Sequence, residues 1–181
     1  PRFAFFQVFQ PRGGGKRQAP TFDVVAPGIA KHEEEIVLAP GADPKSDPCL
    51  ALRAAVAAAE FGLPIAPGTL QNLKSCPIDD RTWNDESRSL FLRLLASGPA
   101  LLQVWEEIDF VDIPGRLIPE WLAIRNRPSA SAAHRYTIDR HSVEVVTRLG
   151  RETPRGNRYD DRHYQALLLA GILHDIGKRP G

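Results

Sequence analysis

Apolar residues fall at helical spacing over most of this chain, and in short β-rich runs only near its beginning. Ile138, His141, Val145 and Leu149 share one face of a predicted helix, with His141 inside its apolar stripe. Tyr164, Leu167, Leu168, Gly171 and Ile172 make a later helix apolar on most sides, which predicts a central, buried element. Thr137 is the expected cap of the first helix, and Asp160 or Asp161 that of the second. The polar, Gly-containing residues 151–159 predict the loop between them. Earlier in the chain, Leu90, Phe91, Leu94 and Leu95 mark one helical face behind Asn84 as its cap. Gly98-Pro99 separates it from a helix with Leu101, Leu102, Trp105 and Ile108 on one side. The Ala-rich stretch from Leu50 to Glu60 predicts a helix begun by Asp47-Pro48 and stopped by Gly62 and Pro64. Pro67 opens a shorter helix towards Leu73, closed by Cys76-Pro77, and Pro119 begins a short segment with Trp121, Leu122 and Ile124. Phe22, Val24 and Val25 before Pro27-Gly28, with Ile36, Val37 and Leu38 after a charged patch, predict a β-hairpin.

The expected fold class is therefore mainly α, with one small β-hairpin near the N-terminus. The expected divisions are a loop and hairpin at 1–46, helices at 47–128, and a last helical unit at 129–181. A hydrophobic fraction of 43% over 181 residues suits a packed core in one domain or two small ones. The net charge of +1 gives no electrostatic reason to expect a nucleic acid or a membrane surface as partner. No apolar run approaches the roughly 20 residues of a transmembrane helix. Cys49 and Cys76 form no metal motif and are expected as free thiols in a reducing, cytoplasmic setting. The chain lacks a starting Met and has none anywhere, which predicts a piece of something longer.

Several charged or Gly-rich stretches invite a chemical interpretation. Gly13-Gly14-Gly15 with Lys16-Arg17 lacks the Gly-Lys-Ser/Thr ending of a phosphate loop, so it predicts a solvated loop that binds no nucleotide. Glu33-Glu34-Glu35 predicts a solvated turn. Glu106, Asp109 and Asp112 predict surface charge on an amphipathic helix. Arg125, Arg127 and Arg135 form a loose basic cluster around Pro128 that can meet phosphate or merely solvate a loop.

His174-Asp175 stands apart, at the end of the apolar helix. Neutral imidazole and carboxylate suit a divalent metal. Neighbouring helical residues point about 100° apart, so two adjacent ligands meet one metal only near a helix end. A buried ionised Asp needs a partner. A metal held by His141, His174 and Asp175 would satisfy all three, and predicts side-chain atoms within roughly 5 Å of one another. The alternative is an Asp–His hydrogen bond with no metal.

His141 followed by His174-Asp175 resembles the start of the HD superfamily of metal-dependent phosphohydrolases. More specific words surround them: Leu117-Ile118-Pro119-Glu120-Trp121, Arg125 to Pro128, His134-Arg135-Tyr136-Thr137-Ile138-Asp139-Arg140-His141, and Leu173-His174-Asp175-Ile176-Gly177-Lys178. With Glu35-Ile36-Val37-Leu38-Ala39, the helix after Asp47-Pro48, and Trp105-Glu106-Glu107-Ile108-Asp109, they resemble the bifunctional uridylyltransferase/uridylyl-removing enzymes acting on the nitrogen-signalling protein PII.

The resemblance implies a helical connector followed by the first helices of an HD domain. It implies a divalent metal, magnesium or manganese, on His141, His174 and Asp175, with Asp175 catalytic; Lys178 is the other catalytic candidate, able to contact a phosphoryl oxygen or to serve only as surface charge. PII is the implied substrate, with UTP and UMP as the nucleotides of the complete enzyme. The family's transferase motif, Gly-Ser followed by Asp-x-Asp, is absent; Asp79-Asp80 has the wrong spacing. One further metal-binding Asp of the family pattern lies beyond Gly181, so this piece alone is expected to be inactive. Two alternatives remain at this stage: another HD-family nucleotide phosphohydrolase, and a non-catalytic helical scaffold.

Overall fold

The computed structural model describes residues 21–79, 82–128, 136–152 and 162–177 of the chain. It is mainly helical, with a small antiparallel sheet near the start. The sheet has three strands, β1 (Asp23–Ala26), β2 (Ile29–His32) and β3 (Glu35–Leu38), in the order β1-β2-β3. The expected hairpin would have paired the first and last of these directly. Instead a further strand lies between them, with Ala30 opposite Val24 on one side and Val37 on the other. Two tight turns make room for it: Gly28 has φ +76° and Glu33 φ 53°. Gly28 also lies close to Leu50: a Cβ there would be 2.6 Å from Leu50 Cδ1, which would have to shift. Ile29, Ala30 and Ile36 are fully buried, and the sheet packs on the first helix.

That helix, α1, runs Leu50–Phe61. It begins later than Asp47-Pro48 implied. Asp47 does not cap it; its Oδ1 accepts the N–H of Cys49 at 3.0 Å, and its other oxygen takes Arg53. The aspartate thus closes a local turn immediately before the helix, a common alternative use of a short polar side chain. Gly62 ends α1 in the left-handed conformation, with its N–H on the Ala58 carbonyl. The short helix α2 (Pro67–Leu73) follows. Asn84 caps α3 (Asp85–Leu95) by accepting the Ser87 N–H, and Pro99 opens α4 (Pro99–Phe110). A five-residue helix, α5 (Ile113–Leu117), and a 3₁₀ turn at Pro119–Ala123 come next. Two long elements complete the fold, α6 (Ile138–Glu152) and α7 (Arg162–Leu173).

The core lies where α1 packs on α3 and α4. Leu52, Leu94, Leu95, Leu101 and Ile108 are fully or almost fully buried there. Burying each such side chain contributes about 1.5–3 kcal/mol. A half-exposed ion pair such as Arg93–Glu60 is worth about 0–1 kcal/mol, so apolar packing holds this part together. An aromatic row extends the core: Trp83 on Phe91, Phe91 near Trp105, and Trp105 on Trp121 with ring centres 5.1 Å apart. Cys49 and Cys76 are both buried and free.

α6 lies against both α4 and α7. α6 and α7 approach closely at Gly171, where a Cβ would lie 3.0 Å from Leu149 Cδ1 and Val146 Cγ2, so that these side chains would have to give way. α7 is not buried all round, as its apolar pattern suggested. Tyr164, Leu168, Gly171 and Ile172 face inward, while Leu167 and Leu173 are 49% and 37% exposed. One side of α7 meets α6 and α3; the helix carries more apolar surface than those two neighbours cover.

Candidate metal centre

The segment before α6 fixes where that helix starts. Pro128 and Thr137 form an antiparallel bridge, and the Ile138 N–H donates to the Arg127 carbonyl at 2.9 Å. The Thr137 carbonyl then accepts the His141 N–H at 2.9 Å, closing the first turn. His141 therefore sits in the first turn of α6, half-buried. The expected caps of α7, Asp160 and Asp161, lie outside the described residues. α7 ends at Leu173, and His174 and Asp175 belong to the turn that follows. That release from helical geometry lets two adjacent side chains face one point.

His141, His174 and Asp175 each offer a ligand atom, and these atoms all lie within 4.8 Å of one another. Among the described residues, no other trio of His, Cys, Asp or Glu converges in this way. The two imidazole rings meet edge to face, 5.4 Å between centres. Asp175 is buried, 4% exposed, whereas the His174 side chain is 37% exposed. His174 Nδ1 lies 2.9 Å from the Gly171 carbonyl oxygen. A carbonyl only accepts, so Nδ1–H donates to it, the arrangement that orients many metal-binding histidines. Nε2 then faces Asp175 Oδ1 at 3.4 Å. Two electron-rich atoms so placed repel unless a positive charge joins them, either a proton on Nε2 or a cation. Two imidazoles and a carboxylate form a donor set that fits a divalent metal.

The other sequence candidates separate from this cluster. Arg125 is committed to structure: its Nε donates to Asp109 Oδ2 at 2.9 Å, and its Nη groups donate to the Asp109 carbonyl and to Asp112. It is therefore not the phosphate contact that a loose basic cluster allowed. The same bonds correct the surface assignment of Asp109, whose side chain is only 21% exposed. Burial pushes its carboxyl above the ordinary aspartate value, more than Arg125 draws it down. Glu106 pairs with Arg140. Arg127 is exposed. Lys178, Arg135 and the Gly13-Gly14-Gly15 stretch lie outside the described residues. Sequence reasoning passed over Asp139, which is 8% exposed beside the site; an acidic residue in a helix's first turn was the available signal. The Gly171 carbonyl left no signal, because backbone acceptors are common to every residue.

No family model matches the chain, and no solved structure matches it. Curated proteins do. Over 168 residues, 92% of this chain, it is 40% identical to the bifunctional uridylyltransferase/uridylyl-removing enzyme of Streptomyces coelicolor. The Mycobacterium tuberculosis enzyme of the same name is 40% identical over 155 residues, 85% of this chain. That of Corynebacterium glutamicum is 35% identical over 133 residues, 74% of this chain. This chain is homologous to one stretch of those enzymes. It spans only 19% of the length of the first two relatives. Among the described residues, no helix is long and apolar enough to cross a membrane.

Proposed function

We infer that this chain contributes part of the uridylyl-removing site of a bifunctional uridylyltransferase/uridylyl-removing enzyme. The observation that carries this is the convergence of His141, His174 and Asp175 in a chain homologous to enzymes of that name. The proposed reaction is hydrolysis of uridylyl-PII to PII and UMP, in the cytoplasm. His141, His174 and Asp175 would hold magnesium or manganese. Such an ion supplies a Lewis acid for a phosphoryl oxygen and acidifies a water at neutral pH.

The chain's own residues have distinct tasks in this scheme. Asp175 brings negative charge into a buried position, where it favours a bound cation. His174, held through its Nδ1–H by Gly171, keeps Nε2 as the donor atom. His141 comes from a different helix, so the site forms only when α6 and α7 are packed together. Lys178 would contact a phosphoryl oxygen of the substrate. Transfer of UMP from UTP belongs to other residues, since the chain carries no Gly-Ser with Asp-x-Asp.

The test is UMP release from uridylyl-PII by the complete enzyme with Mn²⁺ present. His174→Ala and Asp175→Ala should each abolish release while leaving uridylyl transfer intact. Release by Asp175→Ala at the parent rate would overturn the assignment. Release from a free nucleotide but not from uridylyl-PII would favour a nucleotide phosphohydrolase instead.

A further inference from the structure

The first turn of α6 is fastened on the side facing away from the metal centre. Asp139 is 8% exposed, although acidic residues in a first helical turn usually face water. Both of its carboxylate oxygens are in use. Oδ2 accepts the backbone N–H of Asn126 at 2.8 Å, and Oδ1 accepts the N–H of Arg140 at 2.9 Å. Charge-assisted bonds of this kind offset the cost of burying a carboxylate. Asn126 is one of three non-glycine residues with positive φ among those described, at 56°, a conformation that asparagine adopts more readily than most residues.

The segment carrying Asn126 is itself tied at both ends. Arg125 is fastened to Asp109, at the end of α4, and to Asp112 just beyond it. On the other side, the Arg127 carbonyl takes the Ile138 N–H, and Pro128 bridges Thr137. Arg140, next to Asp139, reaches Glu106 on α4 and Glu144 on α6. Residues 125–128 thus form a strap from the end of α4 to the start of α6.

We propose that Asp139 is a positioning residue for the metal centre: through Asn126 and the strap it sets the roll of α6, and so the placement of His141. This rests on the metal assignment of His141, His174 and Asp175 made above. Residues two apart on a helix point about 200° apart, so Asp139 faces the strap while His141 faces His174. A roll of about 10° displaces a group at the helix surface by about 1 Å, since that surface lies roughly 5–6 Å from the axis. Metal–ligand distances tolerate only about 0.2 Å. A modest loss of anchoring at residue 139 is therefore large on the scale of coordination.

The test is calorimetric titration with Mn²⁺ of this chain extended C-terminally through the rest of the proposed metal site, with thermal unfolding recorded for every variant. Asp139→Ala should weaken metal binding by about 10- to 100-fold, the range typical of residues that orient ligands. Asp139→Asn keeps an oxygen for the Asn126 N–H and should restore most of the affinity. Asn126→Gly keeps both the N–H and the backbone conformation and should bind as the parent does. Leu73→Ala, in the core of α2, should lower the unfolding temperature without changing metal affinity. Should Asp139→Ala fail to fold, Asp139→Glu carries the test, because it retains the charge but displaces it by one methylene. Parent-like affinity in Asp139→Ala, or in Asp139→Glu where that carries the test, overturns the proposal if His174→Ala abolishes binding. Equal weakening by Leu73→Ala also overturns it, since the effect would then be general stability. Unchanged binding in His174→Ala would instead show that the metal assignment itself is wrong, and the proposal falls with it.

Discussion

Asp109 shows how far a residue's charge differs from its role. It pairs with Arg125, and a carboxylate beside a guanidinium ordinarily becomes more acidic. Here burial is the larger effect, and the nearby Asp139 charge adds to it, so the pKa lies above the usual 3.8. The folded chain therefore binds the Asp109 proton more tightly than the unfolded chain does. The stability this brings is fully present below the unfolded value and is lost as pH rises through the folded one. The stability of the parent relative to Asp109→Asn should accordingly fall as pH is raised from about 3 to about 7, read from urea unfolding at each pH. A flat or rising difference would mean that Arg125, not burial, governs this carboxyl. The convergence of His141, His174 and Asp175 could be expected from sequence because imidazole and carboxylate at a helix end stand out by residue type. Asp139 is not, because its partner is a backbone N–H contributed by a separate segment. Arg125 misleads for a related reason: whether a guanidinium is free depends on which carboxylates fold against it.

At the scale of elements, punctuation is easier to read than partnership. Asn84, Gly98-Pro99 and Pro67 mark helix starts because capping and proline act within a turn of the chain. β2 escapes detection because four residues ending in Lys31-His32 carry too little apolar pattern alone. Its burial comes from lying between two strands and over α1. α5 escapes because it is short and contains Pro114 and Gly115. The contact of α6 with α7 depends on an element pair that neither sequence specifies alone. Gly171 lets the helices meet, and its carbonyl also holds His174. A valine there must displace Leu149 and Val146, at a cost of about 1–3 kcal/mol for overpacking. Gly171→Val should lower the urea midpoint with little change in slope, and should weaken Mn²⁺ binding as the end of α7 shifts. A variant with parent stability would show that the two helices separate without penalty.

For the whole molecule, the His141, His174 and Asp175 cluster lies between the last two helices at one end, while α4 and the strap hold α6 from the other side. α7 leaves Leu167 and Leu173 partly exposed, so its attachment depends on the α6 and α3 contacts and on whatever the triad binds. Under the metal assignment proposed above, a bound ion would tie α6 to α7 as well as serve the chemistry. A ligand that binds only the folded state stabilises it by about 2.7 kcal/mol at a hundredfold excess over its dissociation constant. The unfolded chain separates His141 from His174-Asp175 by some thirty residues and offers no comparable site. Mn²⁺ should therefore raise the unfolding temperature of the parent in a concentration-dependent way, and a chelator should reverse the rise. In Asp175→Ala the rise should vanish, because the buried carboxylate supplies the charge that favours a cation over water. The variant's own metal-free unfolding temperature provides the baseline, so a merely less stable fold cannot imitate the result. If the rise persists in Asp175→Ala, the ion binds elsewhere, and the His–Asp pair is a structural hydrogen bond at the end of α7.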